Sequence, residues 1–260
     1  MKLTFLGTGT SQGVPVIGCQ CEVCHSTDRR DRRLRTSAMV EIGSKRIIVD
    51  AGPDFRYQML REGVRHIDAI LLTHEHKDHT GGIDDVRAFN FVDYPTIHTM
   101  HIYANEPTIR AVRHDFAYAF SENKYAGVPE IELHTIDESR SFDIDGIDIT
   151  PIVGKHSERF RSVGFRLGAL AYLTDMNYLA PNEEAKLNGI DTLVINALRW
   201  QSHSSHYSVS EALELIERVA PRQAFITHMS HHIGLHSQLE SRLPQGVYPA
   251  YDGLRVEIDD

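Results

Sequence analysis

Short apolar runs rich in valine, isoleucine and leucine recur along the chain, and each ends at or just before a residue that can bind a metal. Their length and their β-branched content predict buried strands. We assign such strands to residues 46–49, 69–73, 147–153, 170–174, 192–196 and 223–227. Loops at strand ends commonly carry the functional groups of a rigid scaffold. The pattern therefore predicts a site built on the ends of several strands.

Helical patterns lie between these runs. Leu213, Ile216 and Val219 have helical spacing and predict a helix over 209–219, with Ser208 as its N-cap. Shorter helices are predicted over 56–62 and 85–90. The mixture of strands and helices indicates an α/β protein with two packed sheets and helices outside them. We expect one domain over 1–260, in which the irregular, aromatic segment 91–145 forms an insertion or lid.

Composition narrows the class of protein. The chain has 260 residues, of which 41% are hydrophobic, enough for a substantial core. No apolar run reaches the roughly 18 residues of a membrane helix, so no membrane partner is expected. The first ten residues become glycine-rich too early for a signal peptide. Three closely spaced cysteines argue against a disulfide framework. These features together predict a cytoplasmic protein.

The charge of the chain disfavours a long polyanionic partner. The formal net charge is −9, whereas proteins that grip nucleic acid usually present a basic surface. The single basic run, at 29–35, is interpreted as a solvated loop face. Bound metal ions could make the site positive while the exterior stays acidic. A small anionic substrate is therefore favoured over nucleic acid.

The segment His-Glu-His-Lys-Asp-His at 74–79 holds the densest set of potential ligands. Neutral imidazole and carboxylate suit zinc, manganese and iron. In an extended or turning segment alternate side chains point the same way, so His74 and His76 can bind one ion. Asp78 and His79 then point elsewhere and can serve a second ion. The segment therefore predicts a site for two metal ions.

Other strand-end residues complete this site. His156 can join the first ion and His228 the second, while Asp175 can bridge them. Two ions about 3.5–4 Å apart can polarise a phosphoryl oxygen and hold a bridging hydroxide for in-line attack. Asp50 could orient a metal-bound histidine as a hydrogen-bond acceptor. Taken singly, Asp50 could instead be a turn residue and Asp175 a helix cap.

These motifs resemble those of a known family. Asp50, the segment 74–79, His156, Asp175 and His228 occur in an order similar to the five motifs of the metallo-β-lactamase superfamily. The resemblance implies an αββα sandwich with the metal site along one edge between the sheets. The superfamily includes β-lactam, thioester, lactone and phosphodiester hydrolases as well as redox enzymes, so the fold alone does not choose the reaction.

The three cysteines predict a further metal site. Cys19, Cys21 and Cys24 form a C-x-C-x-x-C cluster that can wrap a tetrahedral zinc, which needs a fourth ligand. His231, three residues after His228, is a candidate for that place. Reduced cysteines without metal are the alternative. The glycine-rich segment 7–15 would let backbone approach a ligand, but it is more typical of a tight turn.

A candidate proton donor precedes the helix predicted over 209–219. The segment 203–208 contains histidines that no ion needs in this scheme; such a histidine could protonate a leaving group, although a helix-start or surface histidine is the alternative. Together with the cysteine cluster, it resembles the phosphodiesterases of the carbon–phosphorus lyase pathway, which open phosphoribosyl 1,2-cyclic phosphate. That resemblance implies a structural zinc on Cys19, Cys21, Cys24 and His231, with His206 as general acid. Because His203, His232 and His236 crowd the region, neither the acid nor the fourth zinc ligand is uniquely fixed.

The sequence thus predicts a metal-dependent phosphodiesterase for a small phosphodiester, cyclic or acyclic. It would use two manganese or zinc ions and a structural zinc, with Asp78 as both a metal ligand and a catalytic residue. An RNA-processing nuclease related to transfer-RNA 3′ endonucleases is one alternative, and a thioester or lactone hydrolase is another. His76 argues against a di-iron redox protein. A non-enzymatic metal-bound scaffold would have been supported by missing ligands. The sequence leaves open whether the protein forms a homodimer.

Overall fold

The computed structural model describes residues 1–259, which form two β-sheets packed face to face. The first sheet has the strand order β15-β1-β2-β3-β4-β5-β6. The second has the order β11-β8-β9-β10-β12-β13-β14, with β7 paired to β8. The strands, numbered along the chain, are β1 Lys2–Gly7, β2 Ser37–Ile42, β3 Lys45–Val49, β4 Ala69–Leu71, β5 Met100–Ala104, β6 Ile131–Thr135, β7 Phe142–Ile144, β8 Ile147–Lys155, β9 Arg161–Leu167, β10 Leu170–Tyr172, β11 Tyr178–Leu179, β12 Thr192–Asn196, β13 Gln223–Thr227, β14 Val247–Pro249 and β15 Arg255–Glu257.

The helices lie between the strands in sequence. The α-helices are α1 Phe55–Glu62, α2 Lys77–Thr80, α3 Arg87–Asn90, α4 Glu106–Asp115, α5 Pro181–Glu184, α6 Val209–Val219 and α7 His236–Glu240. Short 3-10 helices occur at Arg29–Asp31, Ile83–Val86, Ala117–Phe120, Ala185–Leu187 and His231–Ile233. The helix predicted over 209–219 and its N-cap are confirmed. Ser208 accepts from the Glu211 backbone N–H, and Glu211 accepts from that of Ser208, which makes a capping box.

Three apolar layers hold the molecule together. Successive side chains of a strand point to opposite faces, so Ile47 and Val49 of β3 face the second sheet while Ile48 faces outward. Phe55 and Met59 of α1 pack in the layer outside the first sheet. A corresponding layer outside the second sheet includes buried residues of α6 and α7. The predicted αββα sandwich is therefore confirmed.

Parallel pairing brings the ends of several strands to a common level. In the first sheet β3 runs parallel to β4, with Val49 opposite Leu71. In the second sheet β10 is parallel to β12, which is parallel to β13. All six predicted strands are present, two of them, β12 and β13, with the predicted bounds. Because the carboxyl ends of parallel strands meet at one edge of a sheet, the loops that follow them can share a site.

The segment 91–145, expected to be an insertion or lid, contributes to both sheets. β5 pairs with β4, and β6 pairs with β5 as one of the two edge strands of the first sheet. β7 pairs with β8 of the second sheet. The helix α4 packs its apolar face in the layer outside the first sheet. Within residues 1–259, no helix combines the length and apolar character needed to span a membrane.

The basic run at 29–35 differs from the predicted solvated face. Arg33 is only 3% exposed, and it donates hydrogen bonds to Thr8 Oγ1 and to the carbonyl oxygen of Ala250, at 3.1 and 2.7 Å. Burial lowers the pKa of the Arg33 guanidinium to about 10. Arg29 and Arg32 are exposed. The prediction was wrong for Arg33, whose side chain joins the loop to the C-terminal part of the fold.

Candidate metal centre

Three of the candidate site residues adopt the left-handed backbone conformation at strand ends. Asp50 follows β3, Asp175 comes three residues after β10, and His228 follows β13, with φ of 65°, 58° and 56°. This conformation is unfavourable for residues with a Cβ, and it recurs at functional sites where surrounding contacts hold it in place. All three side chains are almost fully buried. The strand ends therefore turn sharply where the site begins.

His74, His76 and His156 form the first ligand set. One side-chain nitrogen of each lies within 4.8 Å of the others. His156 Nε2 is 3.3 Å from His76 Nδ1, and His74 Nε2 is buried without a hydrogen-bond partner. The other ring nitrogens of His74 and His156 have partners of their own: Thr73 Oγ1 lies 3.0 Å from His74 Nδ1, and His156 Nδ1 donates to the carbonyl oxygen of Ser205 at 2.9 Å. Three imidazole nitrogens thus converge on one point, which fits a metal ion.

Asp78, His79, Asp175 and His228 form the second ligand set. His79 Nε2 is 3.2 Å from a carboxylate oxygen of Asp78 and 3.2 Å from one of Asp175. His228 Nδ1 is 3.1 Å from the same oxygen of Asp175. Asp175 also forms a group with His156 of the first set and with His206, whose ligand atoms lie within 4.8 Å of one another. Its carboxylate thus lies between the two sets, the position expected of a bridging ligand.

Asp50 lies behind His79. The His79 Nδ1–H donates to an Asp50 oxygen at 2.6 Å, and the backbone N–H and hydroxyl of Thr73 donate to the same carboxylate. A hydrogen bond to one imidazole nitrogen fixes the tautomer and leaves the other nitrogen free for a metal. The role predicted for Asp50, as the acceptor that orients a metal-bound histidine, stays a prediction. The part played by Thr73 was not foreseen, although it directly precedes His74.

Two further threonines contact His228. Thr10 Oγ1 lies 3.2 Å from its Nε2, and Thr36 Oγ1 lies 3.2 Å from its Nδ1. Thr10 belongs to the glycine-rich segment, where a Cβ at Gly7 would come within 1.9 Å of the carbonyl oxygen of Arg35. Glycine is therefore required for close approach to the protein's own backbone. That packing places Thr10 beside His228.

The charges of the second set are tightly linked. Burial acts to lower the pKa of His79, but the carboxylates of Asp175, Asp50 and Asp78 together raise it well above its usual range. Burial opposes ionisation of Asp175, yet the neighbouring histidines hold its pKa well below its usual range. Burial also lowers the pKa of His74. Ionised carboxylates and neutral imidazoles are the ligand forms, so a metal cation would replace the proton on His79.

His206 packs against both ligand sets. Its ring centre is 5.0 Å from that of His156 and 4.9 Å from that of His228, and its Nδ1 lies 3.6 Å from Asp175. That nitrogen is buried without a hydrogen bond. Burial lowers the pKa of His206 to about 3, while the Asp175 carboxylate acts in the opposite direction. His203 stacks on His206 at 5.3 Å, so His206 is the nearer of the two candidate acids.

The three cysteines converge on His231. Its Nδ1 lies 3.2, 3.3 and 3.5 Å from the sulfurs of Cys19, Cys21 and Cys24. Zinc bonds of about 2.0 Å to nitrogen and 2.3 Å to sulfur give similar spacings in a tetrahedron. A hydrogen bond from the Cys24 backbone N–H is the largest cause that lowers the pKa of Cys21, to about 6, which favours the thiolate ligand form. Within residues 1–259 no other histidine joins this group.

The chain is similar to several known proteins. The Beta-lactamase superfamily domain matches residues 45–229. The Octanoyltransferase of Porphyromonas gingivalis is 37% identical over 262 residues, covering 100% of this chain but 52% of that protein, so the chain spans about half its length. A crystal structure described as a new diphosphatase from the PhnP family is 38% identical, with a TM-score of 0.92 over 99% of this chain and 98% of the other. The Ribonuclease Z of Mycobacterium sp. (strain KMS) is 24% identical over 254 residues, 88% of this chain and 84% of that protein. The chain, with its two-sheet fold and its ordered strand-end motifs, belongs to the β-lactamase superfamily.

Proposed function

We propose that this protein is a metal-dependent phosphodiesterase that hydrolyses a small phosphodiester, cyclic or acyclic. The observation that carries the proposal is the pair of adjoining ligand sets, with Asp175 of the second set close to His156 of the first. The likeness to a structure described as a diphosphatase supports phosphoryl chemistry over thioester or lactone hydrolysis. A complete set of ligands supports an enzyme over a metal-bound scaffold.

The ligand sets fit two divalent cations. His74, His76 and His156 would hold one, and Asp78, His79 and His228 the other, with Asp175 shared. Imidazole and carboxylate donors accept zinc and manganese, so either ion suits the site. When bound, the pair would polarise a phosphoryl oxygen and lower the pKa of a water molecule. The cysteine group would hold a separate structural zinc, because four protein ligands leave no open position.

The side chains around the ions would position the attacking water, protonate the leaving group and orient a metal ligand. Asp78 is the most exposed carboxylate of the second set, so it can hold the attacking water by a hydrogen bond as well as bind metal. His206 would donate a proton to the departing oxygen. A phosphate anion beside His206 would raise its pKa, as the Asp175 carboxylate does. Asp50 would keep His79 in the tautomer that leaves its Nε2 free.

The acidic exterior supports a small substrate. A net charge of −9 repels a long polyanion outside the metal centre. Reduced cysteines gathered around His231 support a cytoplasmic location, where thiols stay reduced. The likeness to proteins named Ribonuclease Z supports one competing function, cleavage of precursor transfer RNA. A homodimer is compatible with the proposal and is not required by it.

The test is a substrate panel with the manganese-loaded and zinc-loaded protein. The panel contains bis(p-nitrophenyl) phosphate, a ribose cyclic phosphodiester, a nucleoside diphosphate ester and a precursor transfer RNA. We expect turnover of the small phosphodiesters and its loss in His76→Ala, with His114→Ala as an exposed control. Cleavage of the RNA alone would replace the proposal with the nuclease function. Absence of phosphoryl transfer from every substrate in fully metallated protein would refute it.

A further inference from the structure

A further group of ligand-type side chains lies on the first sheet, away from both sites described above. His101 is on β5, and Glu132 and His134 are on β6. The two strands are parallel, with His101 opposite Glu132 and Tyr103 opposite His134. Because alternate residues of a strand share a face, all four side chains project from the same face at the sheet edge.

This group is too far from the metal centre to serve it. His101 is level with Ala69 on β4, five residues before His74. At about 3.3 Å per residue the two histidines are separated by roughly 16 Å along the strand direction. None of the residues in the group belongs to a proposed catalytic or cysteine ligand set. Any ion bound there would be additional to those of the proposed function.

The three side chains already have the spacing of metal ligands. His101 Nδ1 lies 3.0 Å from His134 Nε2. The Glu132 carboxylate approaches the same two nitrogens, with one oxygen 3.6 Å from His101 Nδ1 and the other 3.7 Å from His134 Nε2. Ligands of tetrahedral zinc with bonds of 2.0–2.1 Å are about 3.3 Å apart. A hydrogen bond between the imidazoles would explain the shortest distance, but not the approach of the carboxylate to the same nitrogens.

The group is held by its surroundings. The ring of Tyr103 stacks on His134 at 4.4 Å with an interplanar angle of 14°, and Phe142 stacks on the other side of Tyr103 at 5.7 Å. Burial lowers the pKa of His134, so the neutral ligand form is favoured. The side chains of His101 and Glu132 stay partly exposed, which leaves a path for an ion and for water.

We propose that His101, Glu132 and His134 form an additional binding site for a divalent transition-metal ion, with zinc as the best match to two imidazoles and a carboxylate. Three protein ligands leave one position for water. The ion would join β5 to β6, one of the two edge strands of the first sheet. Because an edge strand has hydrogen-bonding partners on one side only, the ion would add a second link between β6 and the sheet.

The experiment compares zinc binding to the wild type, His101→Gln, His134→Gln and the control His114→Gln, whose ring is exposed on α4. Each purified protein is dialysed against a zinc buffer, and zinc per chain is measured by mass spectrometry. We expect both cluster variants to hold one ion fewer than the wild type and the control. Hydrolysis of bis(p-nitrophenyl) phosphate should be unchanged, because the cluster is remote from the centre. Equal zinc content in all four proteins would overturn the proposal.

A second measurement protects the test against misfolded variants. Crystals of the wild type soaked in zinc should give an anomalous peak between His101 Nδ1 and His134 Nε2. Added zinc should also raise the melting temperature of the wild type more than that of either cluster variant, because the ion stabilises only the folded state. Absence of the anomalous peak at saturating zinc would overturn the proposal whether or not the variants fold.

Discussion

His206 contacts both ligand sets, and it also lies within 4.8 Å of the ligand atoms of His156 and Asp175. Its ring packs between those of His156 and His228, and the Asp175 carboxylate is close to its Nδ1. A protonated ring in this position would place a donor next to the phosphoryl group held by the centre. The proposed role of His206 is to protonate the leaving group, so it can be tested separately from metal binding.

Replacement of His206 by alanine should slow poor leaving groups selectively. General acid assistance contributes about 10²–10⁴-fold, and it matters most when a sugar or alkyl oxygen departs. We therefore expect His206→Ala to lose far more activity on a ribosyl phosphodiester than on bis(p-nitrophenyl) phosphate. Steady-state kinetics on both substrates, with metal analysis, checks this. Equal losses, or loss of metal, would make His206 a ligand or scaffold residue and leave His203→Ala as the next variant to test.

At the scale of residues, candidate metal ligands could be proposed from the sequence, but the side chains that contact those ligands could not. His74, His76 and Asp175 could be proposed because imidazole and carboxylate are rare together at strand ends. Thr10 and Thr73 could not, because a threonine beside a histidine has no spacing that distinguishes it from any other polar residue. Their roles depend on contacts between distant parts of the chain, such as Thr10 with His228.

At the scale of elements, the loop that carries the three cysteines contacts the segment after β13 through His231. Cys19, Cys21 and Cys24 lie in an N-terminal excursion, and His231 begins a 3-10 helix three residues after His228. The same short segment thus carries a candidate ligand of the metal centre and the candidate fourth ligand of the structural zinc. Fastening the loop would also steady the path of the chain next to the metal centre.

Replacement of Cys21 by serine should remove the structural zinc. The free energy of binding a structural ion adds to the free energy of unfolding, so its loss lowers stability. We expect one zinc fewer per chain and a lower melting temperature, with a smaller change in turnover by the protein that stays folded. Gln20→Ser, at an exposed neighbour in the same loop, serves as control. An unchanged zinc content and melting temperature would exclude a zinc site at Cys21.

The start of α6 offers a test that involves no metal. Ser208→Ala removes the hydroxyl that accepts from the Glu211 backbone N–H and should cost about 1 kcal/mol of unfolding free energy. Ser210→Ala, two positions later on the exposed face, should change stability by less than about 0.5 kcal/mol. Urea denaturation of both variants checks the difference. Equal values would mean that the capping box contributes little to the stability of the fold.

The bounds of a strand could be predicted where its backbone continues to hydrogen-bond to neighbouring strands. They could be predicted less well where the backbone hydrogen-bonds to side chains instead. Two predicted strands were too long: 69–73 ends at Leu71 and 170–174 ends at Tyr172. In the first case the Thr73 backbone N–H donates to the Asp50 carboxylate instead of to a neighbouring strand. Strands β5 and β6 were missed because His101, Tyr103 and Glu132 make them resemble polar loop. β5 pairs with β4 and β6 pairs with β5, and these pairings cannot be inferred from the local sequence.

At the scale of the whole molecule, the predicted αββα fold is confirmed by the family match and by the similar solved structure. Long-range polar contacts join the N-terminal loop to the C-terminal part of the chain. Arg33 reaches Ala250 and also His236 at 3.3 Å, and the His236 backbone N–H donates to Asp31 at 2.6 Å. These contacts cross more than two hundred residues of sequence, so no local pattern could indicate them.

This network predicts a loss of stability in mild acid. Burial, helped by the charge of Arg33, lowers the pKa of His236 from 6.5 to about 4. The unfolded chain therefore binds the proton more tightly, so the contribution is complete above pH 6.5 and is lost as the pH falls toward 4. Between pH 7 and 5 the wild type should lose on the order of 2 kcal/mol more than His236→Asn. Denaturation curves at both pH values check this, and parallel losses in the two proteins would contradict it.

The left-handed residues at the three strand ends have a consequence for the history of such a sequence. Asp50, Asp175 and His228 each hold a conformation that glycine or asparagine adopts more easily. If the proposed catalysis requires these residues, a lineage that lost the activity would be free to replace them. In a descendant or duplicate of this protein, glycine or asparagine at these positions would indicate a copy in which the backbone strain had been relieved and the proposed catalytic activity had been lost.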